Sequence, residues 1–560
     1  MKKVLALVLA LAMVLAAVGC TVTTTTTTTT SDGTTTTTET TTTENGTTTT
    51  DITTQVTGVQ EDTTTEEEIT RGGVLKISSS IPTTLDFTQI RGIMEIAYMC
   101  PIYETLMRYS EDGTPEPYLL ESMEGDAEAL TWTMKVRDGI YFTDGSKLDA
   151  DAVAWNLNTY KECGVLSATY YSNFDYAEAV DDLTVVCHFT AWDQLFNYSL
   201  CRTTLIGSKQ TFEAAFAEGE ESRTAITNET PCGTGPFKFV SIETDVNMVL
   251  DKNDNYWQGE VYLDGIEYTY YAQEVVAATA VTTGELDGMI TEAYSIVNQL
   301  LTSGVDLTSY ACAVPSYAYT LCFNMKEGDP FADVRVRQAA SYAINPEEIN
   351  NTLTYGFGTV SNQWALPGSA VYNDDVDGQS YNVETAKALL AEAGYPDGFE
   401  TTLTYPSTTL MNDVCQMIKA QLEQVGIIVT LNPIEGAAYV NYIGGWESGM
   451  LCHTMGFEAG APSQYATTFY RYEGFGLGVN AFEISDTLDE LTNKIKTSTT
   501  EEELNENTKA VAKQAFDVDC VAKVVLVTKG VAFTSTKLHG GNYATVQNLR
   551  YDLWNAWLEK

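Results

Sequence analysis

Three histidines, His188, His453 and His539, stand far apart in 560 residues, and the chain contains no H-E-x-x-H, G-x-S-x-G or Walker P-loop. The spacings that assemble a zinc site, a serine nucleophile or a phosphate cradle are therefore missing. No catalytic residue, no protein-held metal and no cofactor is expected, and a hydrolase would need a cleft Asp, Glu or Ser whose change abolishes turnover. What the chain does offer is aromatic surface: Tyr170, Tyr171, Trp364, Trp446, Phe457, Tyr465 and Tyr470 are candidate stacking walls. A single Trp or Tyr more often fills a core than lines a pocket, so the chemistry on offer is binding rather than bond-making.

Cysteine chemistry points to the N-terminus. The first twenty residues, MKKVLALVLALAMVLAAVGC, join Lys2 and Lys3 to an apolar run from Val4 to Val18. That run is shorter than the roughly 20 residues of a spanning helix, so it reads as an export signal over residues 1–20. Ala17-Val18-Gly19-Cys20 resembles a bacterial lipoprotein box with Ala where Leu is usual, which makes Cys20 the expected lipid-attachment site and anchors the protein to the outer face of the cell membrane. Residues 21–70 are mostly threonine with scattered acids and no Lys or Arg before Arg71, a composition expected to remain a disordered tether. Ten further cysteines follow Cys20 without any C-x-x-C; Cys187, Cys322 and Cys520 sit among apolar neighbours, which favours buried thiols over a disulfide framework, with Cys312 and Cys322 left open.

Seventy-six acidic against 30 basic residues give a formal net charge of −46, which excludes general electrostatic binding of nucleic acid and fits a solvated surface outside the cell. The 44% hydrophobic content supports a large core. Strands and helices interleave: Val74 to Ser78 and Leu130 to Val136 read as strands, Ile93 to Met107 as a helix-like stretch. Val414, Ile418, Leu422 and Val425 follow helical spacing, Gly426 ends that helix, and Ile427 to Leu431 is a β-branched strand, which together make one αβ unit. Asn345-Pro346-Glu347-Glu348 carries a cap, a proline at the first helical position and acids in the first turn.

Seven stretches in order, YETLMRYSEDGTPEPYLLESME, LTWTMKVRDGIYFTDGSKLDADAV, CGTGPFKFV, NDNYW, LDGIEYTYYAQEVVAATAVTTGELDGM, FNMKEGDPFADVRVRQAASYAINPEEI and YNVETAKALLAEAGYPDGF, resemble the extracellular solute-binding proteins of family 5, the oligopeptide-, dipeptide- and nickel-binding receptors of ABC importers. Ala152 and Asn345-Pro346 are modest departures from the family pattern. The resemblance implies an α/β, two-lobed periplasmic-binding-protein-like fold with a hinge and an extra domain on lobe one. It assigns residues 71–112, 229–316 and 523–560 to lobe one, 113–228 to the extra domain and 317–522 to lobe two, with hinge strands near Tyr317 to Leu321 and Val524 to Val527. Arg335 and Arg337 are read as an ion-pair network with Asp329 and Asp333.

The same resemblance brings Arg91 and Ile93 toward the solute, Arg91 as a bidentate partner for a carboxylate or phosphate or simply a surface arginine. It sets Phe457 in the aromatic place of a lobe-two motif whose acid position is taken by Gly460, with Glu458 the nearest substitute. The implied ligand-binding set is Arg91, Ile93, Tyr170, Trp364, Trp446, Phe457 and Glu458. The function implied is a monomeric, lipid-anchored receptor that passes a peptide-like or other small-molecule solute to ABC permease and ATPase subunits; an oligosaccharide or chelated-nickel receptor and a non-transport surface sensor are the alternatives.

Overall fold

The computed structural model describes residues 22–29, 35–42, 48–55 and most of 69–560; residues 80, 81, 83, 90–97, 111, 112, 166, 203, 457–483 apart from 462 and 465, and 542–552 lie outside the described residues. The chain divides into two compact units, Met1–Ile69 and Thr70–Lys560. In the first, strands Val22–Thr29, Thr35–Thr42 and Thr48–Gln55 pair as an antiparallel meander. Threonine is β-branched and favours the extended backbone, so a run of it pairs with itself even where it has little apolar surface to bury.

The second unit is organised by one ten-stranded sheet. Its strands in chain order are β1 (Val74–Ser78), β2 (Phe237–Glu243), β3 (Asn247–Lys252), β4 (Gly265–Thr269), β5 (Gly288–Thr291), β6 (Leu307–Phe323), β7 (Phe399–Pro406), β8 (Ile427–Ile434), β9 (Met450–Gly456) and β10 (Ala522–Ser535). Across the sheet they run β2-β3-β4-β1-β5-β10-β6-β9-β7-β8. The apolar runs Tyr317 to Leu321 and Val524 to Val527 lie within β6 and β10, two long antiparallel strands paired from Leu307 opposite Ser535 to Cys322 opposite Ala522. They are the part of the sheet shared by its two halves.

Period-two alternation decides what covers each face of the second half. Leu321 and Phe323 of β6 and Val429 of β8 join a core with Val414, Ile418 and Leu422, the buried stripe of helix Thr409–Glu423. Thr408 caps that helix by accepting from the Met411 N–H. Past its end Gly426 holds φ +92°, a backbone region that suits glycine, 3.2 Å from the Gly398 Cα as a Cβ would measure it. Cys322, with Trp364 and Phe516, belongs to the other core. In the first half, helices Glu274–Thr283 and Tyr294–Leu301 cover Val531 and Phe533 of β10.

Beside the first half stands a four-stranded antiparallel sheet of Leu120–Asp126, Thr131–Val136, Phe174–Ala179 and Thr184–Phe189. Helix Ala150–Cys163, capped by Asp149, packs on it. Trp192, stacked on Trp132 at 5.0 Å, donates its indole N–H to the Ser498 carbonyl of the second half at 2.8 Å. The helix-like reading of Ile93 to Met107 is corrected over its described part: from Glu104 the chain is extended, Glu104–Thr105 pairing with Leu205–Ile206 and Met107–Tyr109 with Pro115–Pro117. Tertiary pairing overrides an apolar pattern that periodicity alone leaves ambiguous. Among the described residues, no helix is long and apolar enough to cross a membrane.

All ten cysteines after Cys20 are free thiols, eight buried and Cys100 and Cys163 half-buried. Arg335 pairs with Asp333, but Arg337 does not join that network. Its guanidinium donates to the carbonyls of Phe331, Ala332, Asp519 and Cys520, because it is 4% exposed and faces chain ends whose carbonyls need donors. Asp329 accepts instead from the N–H groups of Phe331 and Gly449.

Candidate binding site at the strand crossing

Strand direction places the site. In the first half, β4 and β5 run parallel to β1; in the second, β8 and β9 run parallel to β7. Thr291, at the carboxyl end of β5, lies opposite Val531 of β10. Gly456, at the carboxyl end of β9, lies opposite Tyr317 of β6, and Tyr317 lies opposite Thr528 of β10. Both parallel sets therefore aim their carboxyl ends at one short stretch, residues 311–317 and 528–531. Crevices outside the carboxyl ends of strands are where open α/β sheets take ligands.

The side chains gathered there are mostly tyrosine. Tyr317 is 38% exposed, Tyr319 and Tyr294 are buried, and Glu292, the residue after β5, is half-buried. Tyr294 donates its hydroxyl to the Lys529 carbonyl at 3.0 Å and receives the Lys529 N–H at 3.1 Å, which fixes the first turn after β5 to β10. Burial raises the pKa of Tyr294, Tyr317 and Tyr319, and the Glu292 carboxylate raises each further. Burial pushes the Cys312 thiol up to about 12, with Glu292 adding to the rise and Lys529 opposing it. The Lys529 ammonium is itself lowered by burial. Thr291 donates to the Glu274 carboxylate at the start of the neighbouring helix, which holds the carboxyl end of β5. Among the described residues the arrangement is a floor of tyrosine rings with a carboxylate, Glu292, and an ammonium, Lys529, at its edge, suited to polar and charged solutes and without a nucleophile–base pair.

His453 lies on β9 opposite Thr320, three residues before the end of the strand. Its Nδ1 is 3.1 Å from the Tyr439 hydroxyl and its ring stacks on Tyr439 at 5.8 Å. Burial holds it down at about 4, so it is neutral at physiological pH and serves as a hydrogen-bonding fixture rather than a charge.

Of the sequence-derived binding residues, Arg91, Ile93, Phe457 and Glu458, along with the lipid-attachment residue Cys20, lie outside the described residues, as does Tyr470. Trp364 is 1% exposed, donates its indole N–H to Thr320 Oγ1 at 3.1 Å and packs against Tyr465 and Phe516, a core position beneath the crossing. Trp446 is equally buried and sits before β9, at the end of that strand away from Gly456, with its carbonyl receiving Asn324 and Lys326. Tyr170 is half-buried at the end of helix Ser167–Tyr170, and Tyr171 is core, its hydroxyl 2.6 Å from Thr204 Oγ1. Trp364 and Trp446 belong to one apolar core, and Tyr170 packs against its edge. Sequence reasoning missed Glu292, Tyr294 and Lys529 as site residues and read Tyr317 and Tyr319 only as hinge. The available signal was a charged residue directly after a short strand of parallel type. A cavity of about 530 Å³ lies elsewhere, lined by Lys326, Asp329, Glu400, Thr402 and Glu447 at the opposite ends of β6, β7 and β9.

Residues 114–476 match the family described as bacterial extracellular solute-binding proteins, family 5 middle. This is more than half of the chain, which belongs to that family, a family of binding proteins. The chain is 27% identical over 323 residues to heme-binding protein A of Haemophilus influenzae, covering 54% of this chain and 58% of that protein. It is 28% identical over 396 residues to the glutathione-binding protein GsiB of Pectobacterium atrosepticum, covering 66% of this chain and 74% of that one. The ABC transporter substrate-binding protein CtaP of Listeria monocytogenes superposes with a TM-score of 0.76 at 20% identity, over 88% of this chain and 100% of that one. The α/β fold is accordingly the two-lobed architecture of periplasmic binding proteins, and β6 and β10 are the long strands shared by the two halves of its ten-stranded sheet.

Proposed function

We propose that this protein is the solute receptor of an ABC importer, capturing a peptide-like solute at the strand crossing and delivering it to the permease, whose ATPase subunits supply the energy. The observation that carries this reading is the convergence of both sets of carboxyl ends on residues 528–531 of β10, a place where two lobes can close on a solute. Similarity to a glutathione-binding protein supports a small peptide-like solute. The receptor acts as a monomer outside the cytoplasm, held to the membrane through lipidated Cys20, with Arg91, Ile93, Phe457 and Glu458 contributing to solute binding.

The test is a thermal-shift screen of the full chain against di- to pentapeptides, oligosaccharides, and nickel with and without a chelator. A peptide at about 100 times its Kd stabilises the folded state by about 2.7 kcal/mol. A rise in melting temperature with peptides alone supports the reading; a rise with sugars alone or with chelated nickel alone overturns the solute class. Recovery of the protein in the aqueous phase of a detergent partition overturns the anchor.

A further inference from the structure

We infer that Glu292 is the carboxylate that receives a positively charged group of the solute, an ammonium or guanidinium, against the tyrosine rings of the crossing. The inference rests on the reading of the crossing as the solute cleft and adds what that cleft selects.

Three features of the crossing lead to it. Glu292 follows the last residue of β5, the strand whose carboxyl end meets β10 at Val531, so the backbone delivers its side chain to the point where the two lobes meet. Its charge acts on Tyr294, Tyr317, Tyr319 and Cys312, which come from β6 and from the turn after β5, so the carboxylate is central to the crossing rather than peripheral to it. Tyr317, opposite both Gly456 and Thr528, is 38% exposed at the middle of a strand pair whose neighbours Ala318 and Val527 are fully buried.

The chemistry follows from these placements. A half-buried carboxylate is screened less than a surface one and gains from an opposite charge that enters beside it. Tyrosine faces attract cations through the ring quadrupole, so a carboxylate with aromatic rings around it selects a cation over a neutral group of the same shape. Lys529, two residues before Val531 on β10, is an ammonium acting on the same thiol, Cys312, and it sets a second charge of opposite sign at the edge of the site. A solute bearing both an ammonium and a carboxylate fits that pair better than a doubly anionic one.

The experiment is titration calorimetry on the full chain and its Glu292→Gln variant with trialanine, N-acetyl-trialanine and spermidine as probes. Wild type is expected to prefer trialanine to its acetylated form, and Glu292→Gln to weaken trialanine by about 10–100-fold, the range of one charge-assisted hydrogen bond, while leaving the acetylated peptide within about twofold. The melting temperature of Glu292→Gln reports whether the near-isosteric change keeps the fold. If it does not, Glu292→Asp, which keeps the charge and shortens the reach, is expected to retain the amine preference. Trialanine binding that is unchanged by Glu292→Gln overturns the inference and leaves the peptide reading standing. Spermidine binding lost in the variant, without peptide binding, supports the inference and overturns the peptide reading. Failure of wild type to bind any of the three overturns both.

Discussion

Among the described residues, the buried charges of the first half are two carboxylates, Glu104 and Asp86, with Arg223 as the partner of Asp86, and those of the second half are two cations, Arg337 and Lys523. Glu104, 4% exposed, accepts from the hydroxyls of Tyr118, Tyr256 and Thr234 and from the Trp257 indole at 2.6–2.9 Å. Asp86, 1% exposed, accepts from Arg223 Nε at 2.7 Å and from Thr88. Across the crossing, Arg337 donates to the carbonyls of residues 331, 332, 519 and 520, and Lys523 to those of Gly378 and Gln379 at 2.6 and 3.1 Å. Except at Asp86, the partner of a buried charge is a neutral dipole. Each half thus uses charge to gather loops distant in sequence, the first around acceptors and the second around donors. Each of these four brackets draws its partners from its own half of the molecule.

Asp86 is the exception, and breaking it has the largest expected effect. Asp86→Ala leaves Arg223 buried without its counter-charge and is expected to cost about 3–5 kcal/mol in urea unfolding; a cost below about 1 kcal/mol would mean the pair is no more than two neutral-type contacts. Next is Arg337→Met, which strands several carbonyls just before β10 and is expected to lower stability by about 3 kcal/mol. Arg337→Lys should recover less than half, because an ammonium cannot fork to two chain segments.

His453 tests whether lobe two tolerates a new buried cation without carbonyl partners. Its folded value of about 4 lies below the 6.5 of a free histidine, so between those values the unfolded chain binds more protons. Stability should therefore fall as pH drops from about 6.5 toward 4, by about 2 kcal/mol after discounting for partial exposure, and His453→Phe should remove that slope. The smallest effect is Glu104→Gln. Two tyrosine hydroxyls on one oxygen can turn to accept from the new amide, so the cost at neutral pH should be about 1 kcal/mol. Burial raises the Glu104 pKa, so the folded wild type binds more protons above the normal glutamate value and gains stability as pH falls through that window. The variant should lose this gain, measured as the difference between two pH–stability curves.

How much of this was legible depended on the range of the interactions. The αβ unit at Thr409 to Ile434 was readable because its signals are local: a helical stripe, Gly426 and a β-branched run. The long strands β6 and β10 were readable as apolar extended runs, but not the strand order that sets β10 between β5 and β6, since that pairing spans more than 200 residues. The candidate site depended on that order. Trp364 and Trp446 drew notice by residue type, although burial made them core, while Glu292 looked ordinary until the direction of β5 gave its position meaning. Arg337 was misread because charge spacing on a helix suggests ion pairs, whereas the carbonyls of residues 519 and 520 reach it only through the fold.

The position of β10 also has a kinetic consequence. Strands β5 and β6 are each laid down long before residues 522–535, yet β10 lies between them and completes both lobes. Until that segment has been synthesised, the nascent chain has two unfinished sheets with bare edges, and no fragment lacking it can close. Folding is thus postponed to the end of synthesis, at high contact order and correspondingly low speed.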